Sequence, residues 1–279
     1  MKITVSLLCA SFLLFSPTNK TGDEKMNITT IPKSTWVWNA YSLQDVDLSA
    51  LREQHVKKIY VQVEKEVPVT DYAAFSEQAK KYGIRLYALD GASTWASNPK
   101  EARATRAWIE AAQQQYQLFA GVHLDIEPYT LPSYENNKQQ LFENYFAILK
   151  SYRAMTKNYA MKLEADIPFW YDEERYDNRY GKGLVSEFLI RQTDEVAVMA
   201  YRNNARHIID ITKSERAYAM KKGKNITIAV ETHPSEEGDN ISFANKSRYY
   251  FERQLEKVYA ETKQPIGIHF LQSWQALYQ

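Results

Sequence analysis

Residues 119–128, FAGVHLDIEP, decide how the rest of the sequence is interpreted. Apolar residues at 122, 124 and 126 alternate with ionisable ones at 123, 125 and 127. Because successive side chains of a strand point to opposite faces, His123, Asp125 and Glu127 share one face. Catalytic groups of a parallel barrel lie at the carboxyl ends of its strands. The stretch therefore predicts a buried barrel strand that presents Glu127 as a catalytic acid.

Strand and helix patterns alternate on both sides of this stretch. Including it, eight strand patterns alternate with seven helix patterns, at spacings of roughly 25 to 40 residues. The predicted strands are 35–40, 58–63, 84–89, 119–128, 162–167, 195–201, 226–230 and 266–271. The predicted helices are 47–56, 71–82, 99–117, 134–157, 184–192, 208–221 and 243–262. The pattern predicts an α/β fold, a single (β/α)8 TIM barrel over residues 34–279 whose last helix is short or missing.

The composition narrows the class of partner. The 279 residues include 35 basic and 34 acidic side chains, and no basic cluster is interleaved with aromatics. Nucleic acid and anionic membrane surfaces are therefore not favoured. The 20 Tyr and 6 Trp suit stacking on sugar rings, although an aromatic-rich core would have the same composition. We expect a monomer with a carbohydrate substrate.

The N-terminus resembles a secretory signal. Lys2 precedes a mostly apolar run over residues 3–15, which is too short to span a bilayer. We expect a signal peptide at 1–16, a linker at 17–33, and a secreted or cell-envelope protein. Cleavage would remove Cys9, the only cysteine. The alternative is translation from Met26 and a cytoplasmic protein.

The central stretch resembles a motif of family 18 glycoside hydrolases, whose fourth strand carries Asp-Gly-x-Asp-x-Asp-x-Glu. The chain keeps Gly121, Asp125 and Glu127 at the matching positions. It has Ala120 and His123 where the first two aspartates of the motif belong. The resemblance implies an N-acetylhexosamine-containing glycan as substrate.

A second motif agrees with the same family. VMAYRN on the sixth predicted strand is similar to the family's Met-x-Tyr-Asp, with Met199 and Tyr201 kept and Arg202 in place of the aspartate. The resemblance implies substrate-assisted hydrolysis. In that mechanism Glu127 protonates the glycosidic oxygen, Asp125 holds the acetamido group of the substrate as internal nucleophile, and Tyr201 supports that group.

The spacing of the two carboxylates also predicts their titration. Side chains two apart on a strand lie about 6.5 Å apart. At an effective dielectric constant of about 20, an ionised Asp125 would disfavour ionised Glu127 by about 2.5 kcal/mol. That energy raises the pKa of Glu127 by nearly 2 units, towards the working range of an acid at neutral pH.

Two alternatives remain open from the sequence. Retaining barrel glycosidases of a second clan end strand four in Asn-Glu-Pro and place a nucleophilic glutamate at the end of strand seven. Ile126-Glu127-Pro128 and Glu231 partly fit that pattern, which requires carboxyl groups about 5 to 5.5 Å apart. The departures from the family 18 motifs also leave open an inactive carbohydrate-binding barrel, because the fold does not by itself imply catalysis.

Further residues are candidates for contact with the substrate. Trp36 and Trp274 lie on or just after the first and last predicted strands, where an indole could stack on a sugar. Asp166 shares a strand face with Glu164, and His269 lies on the eighth strand. The aromatic segment 168–183 follows strand five and could form part of a cleft. The complete set of substrate-binding candidates is Tyr201, His123, Trp36, Asp166, His269 and Trp274.

Each candidate also has a purely structural interpretation. Asp125 and Glu127 could form ion pairs with Arg85 or Arg202 at the end of the barrel, and a lone strand histidine is more often a satisfied core group. No His-Glu-x-x-His motif, Gly-rich phosphate loop or Gly-x-Ser-x-Gly elbow occurs. We therefore expect no metal and no cofactor.

Overall fold

A closed barrel of eight parallel strands forms the centre of the protein. The computed structural model describes residues 28–278. The barrel strands are β1 (Lys33–Val37), β2 (Val56–Gln62), β3 (Arg85–Asp90), β4 (Gly121–Leu124), β5 (Lys162–Pro168), β8 (Glu195–Met199), β9 (Ile226–Glu231) and β10 (Ile266–His269). Their order around the barrel is β1, β10, β9, β8, β5, β4, β3, β2. The predicted α/β TIM barrel is confirmed.

Helices surround these strands and bury the outer apolar face of the barrel. They are α1 (Leu48–Glu53), α2 (Val69–Lys81), α3 (Lys100–Tyr116), α4 (Tyr134–Asn158), α5 (Val185–Gln192), α6 (Ala205–Ile211), α7 (Lys213–Lys221), α8 (Arg248–Thr262) and α9 (Leu271–Ala276). The last helix, α9, has only 6 residues, as the sequence predicted. Among residues 28–278, no helix combines the length and the apolar character that crossing a membrane requires.

The barrel begins earlier than the predicted boundary at residue 34. The predicted signal peptide, 1–16, and most of the predicted linker lie outside the described residues. Ile31 is fully buried and Lys33 opens β1. The buried ammonium of Lys33 donates to the carbonyl oxygens of Ile28, Ile31 and Gln54. The residues just before 34 are thus tied to the base of the barrel.

Two predicted helices have different bounds in the structure. The predicted helix 208–221 is divided into α6 and α7 at Thr212, whose hydroxyl donates to the carbonyl oxygens of Ile208 and Ile209. Such a bond competes with regular helix geometry. The predicted helix 243–262 begins only at Arg248, because the Ser247 side chain caps it by accepting from the Tyr250 amide.

The aromatic segment 168–183, which the sequence suggested as part of a cleft, contains regular secondary structure. It contains an antiparallel hairpin of β6 (Arg175–Asn178) and β7 (Gly181–Leu184). The part before the hairpin stays close to the barrel mouth. Hydrophobic periodicity does not reveal this hairpin, because its residues are mainly polar and glycine.

The inside of the barrel is packed with aromatic and charged side chains. Trp36, Tyr60 and Tyr87 form the inner aromatic cluster. A Cβ atom on Gly121 would lie 2.3 Å from a ring carbon of Tyr87, so only glycine fits at that position of β4. The packed interior closes the barrel below its mouth.

Candidate active site

A cavity of about 650 Å³ opens at the carboxyl ends of the barrel strands. We call it the mouth cavity. It contains six of the predicted site residues and omits His123, Glu231 and Trp274. Its lining residues are Trp36, Trp38, Asp125, Glu127, Tyr129, Thr130, Asp166, Pro168, Phe169, Trp170, Met199, Tyr201, Arg202, Glu237, His269 and Phe270.

Glu127 lies just beyond β4 with its side chain partly exposed to the mouth cavity. Its Oε1 accepts a hydrogen bond of 2.6 Å from the hydroxyl of Tyr129. Burial raises the pKa of Glu127, the charges of Asp166 and Glu237 add to the rise, and the bond from Tyr129 opposes it. Glu127 therefore holds a proton more readily than an ordinary glutamate, with Oε2 left for the proton.

Asp125 lies on the same wall, two residues earlier and deeper in the barrel. Its backbone N–H donates to the carbonyl of Asp90, and a Cβ atom on Gly91 would lie 1.9 Å from the Asp125 carbonyl oxygen. Burial raises the pKa of Asp125 well above its ordinary value, and the charges of Asp166 and Glu127 raise it further. The sequence predicted the direction of the Glu127 shift, but burial is its leading cause.

Within residues 28–278, neither Asp125 nor Glu127 has an arginine partner at ion-pair distance. Arg202 instead places its guanidinium 5.0 Å from the centre of the Phe169 ring and donates to the carbonyl of Tyr201. Arg85 opens β3, at the opposite end of the barrel from the mouth. The ion-pair interpretation of Asp125 and Glu127 is therefore wrong for the described part of the chain.

His123 lies beneath the mouth cavity with no exposed surface. Its Nε2 is 2.8 Å from Oδ2 of Asp166, and its Nδ1 is 3.6 Å from Oε2 of Glu164. Burial alone would lower the pKa of His123, but Asp166 and Glu164 outweigh it and raise the pKa to about 9. The sequence proposed His123 as a substrate contact, whereas the structure places it below the residues that a substrate would touch.

Trp36 and Asp166 form the floor of the mouth cavity. The indole Nε1 of Trp36 donates to Oδ2 of Asp166 at 3.1 Å. The indole packs against Gly267, where a Cβ atom would lie 2.7 Å from a ring carbon. Trp36 is only 1% exposed, so the cavity meets the edge of its indole ring rather than a broad face on which a sugar could stack.

Tyr201, just after β8, and His269, at the end of β10, form another part of the cavity wall. Their rings stack with centroids 5.9 Å apart and planes 24° apart. Burial and the nearby charges of Asp166 and Glu231 raise the pKa of Tyr201 well above its ordinary value. The Tyr201 hydroxyl therefore stays protonated and available as a donor.

Glu231 lies at the end of β9 and does not line the mouth cavity. Its Oε1 accepts the backbone N–H groups of Thr232 and His233, each at 2.7 Å. Its Oε2 is 2.7 Å from Nδ1 of His269. The carboxylate thus fixes the orientation of His269 and the chain that follows β9.

His269 receives a second hydrogen bond that defines its tautomer. Nε1 of Trp38 donates to Nε2 of His269 at 2.9 Å. Because Nε2 accepts this bond, the ring proton is on Nδ1, where it is donated to Glu231. His269 is therefore neutral, and both ring nitrogens are already used.

Trp274 is not part of the mouth cavity. It lies on α9, is 3% exposed, and lines a separate surface groove with Leu51 of α1 and Tyr278. The α9 helix begins so soon after β10 that Trp274 is carried to the outside of the barrel. Phe270 occupies the place on the cavity wall that the sequence pattern predicted for Trp274.

Several lining residues were not among the sequence candidates. Trp38 has the same strand parity as Trp36, and Trp170 belongs to the aromatic segment 168–183. These two sequence features are the signals that mark both residues as cavity candidates. Tyr129 lies in a short 3-10 helix, Pro128–Thr130, directly after Glu127, and Glu237 lies in a loop that only the folded chain brings to the cavity. Within the described residues, no group of three or more histidine, cysteine or acidic side chains could hold a metal ion.

Comparison with known proteins identifies related folds rather than related sequences. No model of a known protein family matches the chain, and a search of curated proteins found no relative. The C-terminal domain of a predicted chitinase from Desulfitobacterium hafniense is 11% identical, with a TM-score of 0.53. The match covers 75% of this chain and 71% of that one.

Two further solved structures are chitinases from eukaryotes. A class V chitinase from Cycas revoluta, in complex with (GlcNAc)3, is 15% identical with a TM-score of 0.49 over 72% of this chain and 68% of that one. Catalytic domain 2 of a group II chitinase from Ostrinia furnacalis is 13% identical with a TM-score of 0.46 over 75% and 68%. The likeness to the first of these three structures shows that the chain shares its fold, which is a closed barrel of eight parallel strands here.

Proposed function

We propose that the protein is a glycoside hydrolase that cleaves an N-acetylhexosamine-containing glycan, with Glu127 as proton donor. The observation that carries the proposal is that Glu127 and Asp125 line one open cavity at the barrel mouth, where burial raises the pKa of both. A barrel similar to that of a predicted chitinase domain supports the same class of reaction. The volume of about 650 Å³ leaves room for sugar rings.

The proposed reaction uses the substrate's acetamido group as nucleophile. Its carbonyl oxygen attacks the anomeric carbon while the glycosidic bond breaks, and the leaving oxygen takes the proton of Glu127. The Glu127 carboxylate then removes a proton from the water that opens the cyclic intermediate. Asp125 accepts the acetamido N–H, and the neutral Tyr201 hydroxyl donates to the same group.

The contacts of Glu231 favour this mechanism over a two-glutamate mechanism. A nucleophilic carboxylate needs a free oxygen facing the anomeric carbon. Both oxygens of Glu231 accept N–H donors, and the side chain lies outside the mouth cavity. Glu231 is better suited to holding His269 in place.

The first experiment measures hydrolysis of a panel of glycans, including N-acetylglucosamine oligomers, by the wild type and Glu127→Gln. We expect Glu127→Gln to lower kcat by about 10²-fold or more while glycan binding is retained. The matched control is Glu135→Gln on α4, whose side chain is 81% exposed, and it should behave as the wild type. Binding without turnover by the wild type would instead indicate an inactive carbohydrate-binding barrel.

A second experiment separates the two nucleophiles. A thiazoline mimic of the cyclic intermediate should inhibit if the acetamido group is the nucleophile. A mechanism-based fluorosugar should leave the protein unlabelled. A glycosyl adduct on Glu231, detected by mass spectrometry, would overturn the substrate-assisted mechanism.

A further inference from the structure

One arginine lines the mouth cavity among several carboxyl groups. Arg202 lies just beyond β8. The acidic side chains of the lining are Asp125, Glu127, Asp166 and Glu237. Among the lining residues that the structure describes, Arg202 alone carries a permanent positive charge, because His269 is neutral. The cavity thus has one place where an anionic group would be attracted.

Arg202 stands where the family 18 motif Met-x-Tyr-Asp has an aspartate. Met199 and Tyr201 keep the other two positions of the motif, so the change is confined to the charged position. The replacement reverses the charge, and a guanidinium donates hydrogen bonds but accepts none. Any group of a ligand that binds at this position must therefore be an acceptor.

The contacts of Arg202 hold its guanidinium without neutralising it. Its Cζ lies 5.0 Å from the centre of the Phe169 ring, and its Nη1 donates to the backbone carbonyl of Tyr201 at 2.7 Å. Both partners are uncharged. Within residues 28–278, no carboxylate lies at ion-pair distance from Arg202. The positive charge is therefore fixed in place and remains available.

The second edge of the same guanidinium has unused donors. Among the residues that the structure describes, neither Nε nor Nη2 of Arg202 has a hydrogen-bond partner. These two nitrogens lie on one edge of the planar group, and their parallel N–H bonds match the two oxygens of a carboxylate. Arg202 is partly exposed and lines the cavity, so a ligand can reach it. A side chain already held by two contacts loses less freedom when it binds.

We propose that Arg202 selects glycans that carry a carboxylate on a sugar bound in the mouth cavity, through a bidentate ion pair with that carboxylate. The inference rests on the proposed function, because it names which N-acetylhexosamine glycans the same cavity accepts. The carboxylate belongs either to a uronic acid or to a lactyl ether on an amino sugar, and both present the same planar pair of oxygens. A neutral oligomer of N-acetylglucosamine lacks this group.

The other charges of the cavity tolerate one such anion. Burial raises the pKa of both Asp125 and Glu127, so these carboxyl groups hold protons more readily than ordinary ones. Asp166 is 2.8 Å from the charged ring of His123. Glu237 lies in an exposed segment, where solvent and salt screen its charge. An acidic sugar therefore meets little opposing charge in the cavity.

The first test measures which glycans the wild type prefers. The probes are three oligosaccharides of equal length: a neutral N-acetylglucosamine oligomer, an oligomer that alternates N-acetylglucosamine with glucuronic acid, and one that alternates it with N-acetylmuramic acid. We expect kcat/KM to be about tenfold higher or more for an acidic oligomer than for the neutral one. The preferred acidic oligomer identifies the source of the carboxylate.

Variants of Arg202 show whether the guanidinium causes this preference. In Arg202→Met, the ratio of kcat/KM for the acidic over the neutral oligomer should fall by about 10- to 100-fold, because a charge-assisted bidentate pair is lost. Arg202→Lys keeps the charge without the two parallel donors and should lose a smaller part of the ratio. The matched control is Arg206→Met on α6, whose side chain is 83% exposed, and it should keep the wild-type ratio. Equal ratios in the wild type and Arg202→Met would overturn the inference.

A second test measures binding without turnover. In Glu127→Gln, calorimetry compares each acidic oligomer with the same oligomer methyl-esterified at its carboxyl groups, since the ester keeps the shape and removes the charge. We expect the ester to bind about tenfold more weakly or worse, and higher salt to weaken binding of the acid more than of the ester. The difference between acid and ester should disappear when Arg202→Met is added. Equal binding of acid and ester in Glu127→Gln would contradict the ion pair.

The two proposals fail in different ways. If the wild type cleaves none of the oligomers but Glu127→Gln binds an acidic one through Arg202, the proposed hydrolase activity is wrong and the selection of a carboxylate stands. If the wild type cleaves the neutral oligomer as well as the acidic ones, the hydrolase activity stands and the selection is wrong. Failure of every acidic oligomer to bind would also overturn the selection.

Discussion

The barrel contains two histidine–carboxylate pairs with almost the same nitrogen–oxygen distance, but the histidine is charged in one pair and neutral in the other. His123 and Asp166 are 2.8 Å apart, and His269 and Glu231 are 2.7 Å apart. The side chain of His123 has no exposed surface, whereas that of His269 is 20% exposed on the cavity wall. Distance to a carboxylate therefore does not explain the difference between them.

The partner of the second ring nitrogen explains it. Nδ1 of His123 faces the carboxylate of Glu164, so a proton on each nitrogen is stabilised and the ring is a cation. Nε2 of His269 accepts the N–H of Trp38, so that nitrogen has no proton and the ring is neutral. The first pair places a charged ring beneath the cavity. The second pair orients an uncharged ring on the cavity wall.

The largest expected effect comes from removing the buried cation. His123→Leu leaves Asp166 buried without its counter-charge and Glu164 with Lys58 alone, and we expect the free energy of unfolding to fall by about 3 to 5 kcal/mol at pH 7. Urea denaturation measures it. His207→Leu, at an exposed position on α6, is the control and should change stability by less than about 0.5 kcal/mol. Equal stability of the two variants would show that His123 is not charged.

The pH dependence of stability tests the charges of His123 and Glu164. The pKa of His123 is raised from 6.5 to about 9, so its stabilisation is complete below pH 6.5 and is lost as the pH rises through 9. The pKa of Glu164 is lowered from 4.5 to about 2, so its stabilisation is complete above pH 4.5 and is lost as the pH falls through 2. The wild type should lose about 3 kcal/mol between pH 6.5 and 9 through His123, and His123→Leu should not.

Breaking the second pair should have a smaller effect on stability. Glu231→Ala removes the acceptor of two backbone N–H groups and of the His269 ring, and we expect a loss of about 2 to 4 kcal/mol. Glu237→Ala, in the exposed segment after β9, should cost less than about 0.5 kcal/mol. If thermal denaturation finds the same midpoint for both variants, Glu231 does not support the wall as described.

On the β4 side, Tyr129 adjusts the ionisation of Glu127. Its hydroxyl stabilises the charged form, so Tyr129→Phe should raise the pKa of Glu127 and extend activity to higher pH by about half to one unit. Trp170→Phe, a neighbour that touches the Tyr129 ring but not the carboxylate, is the control. A basic limb of the kcat profile that stays in place in Tyr129→Phe would contradict the role of this bond.

The smallest effect on the site is expected at Trp274. Trp274→Phe alters packing on the outside of the barrel and should lower stability by about 1 to 2 kcal/mol without changing KM for a glycan. Trp38→Phe removes the donor to His269 and should raise KM. A higher KM in Trp274→Phe would place that indole in the substrate path after all.

The amino-acid pattern alone was sufficient to predict the barrel and the position of Glu127 and Asp125 on one wall. Strand parity and helix periodicity are local properties of the chain, and in a closed parallel barrel they define which end each side chain reaches. Apolar spacing did not predict the break between α6 and α7 at Thr212 or the hairpin at 175–184. Both features depend on hydrogen bonds, which apolar spacing does not encode.

Which ionisable groups face the cavity, and which charge each one holds, depends on contacts between strands that are distant in the sequence. Glu231 does not line the cavity, because the backbone N–H groups of Thr232 and His233 and Nδ1 of His269 donate to its carboxylate and hold it in place. His123 is a cation because β5 places Asp166 and Glu164 beside it. A side chain's protonation depends on burial and on neighbours from other strands, and those neighbours are defined by the register of the closed barrel rather than by spacing along the chain.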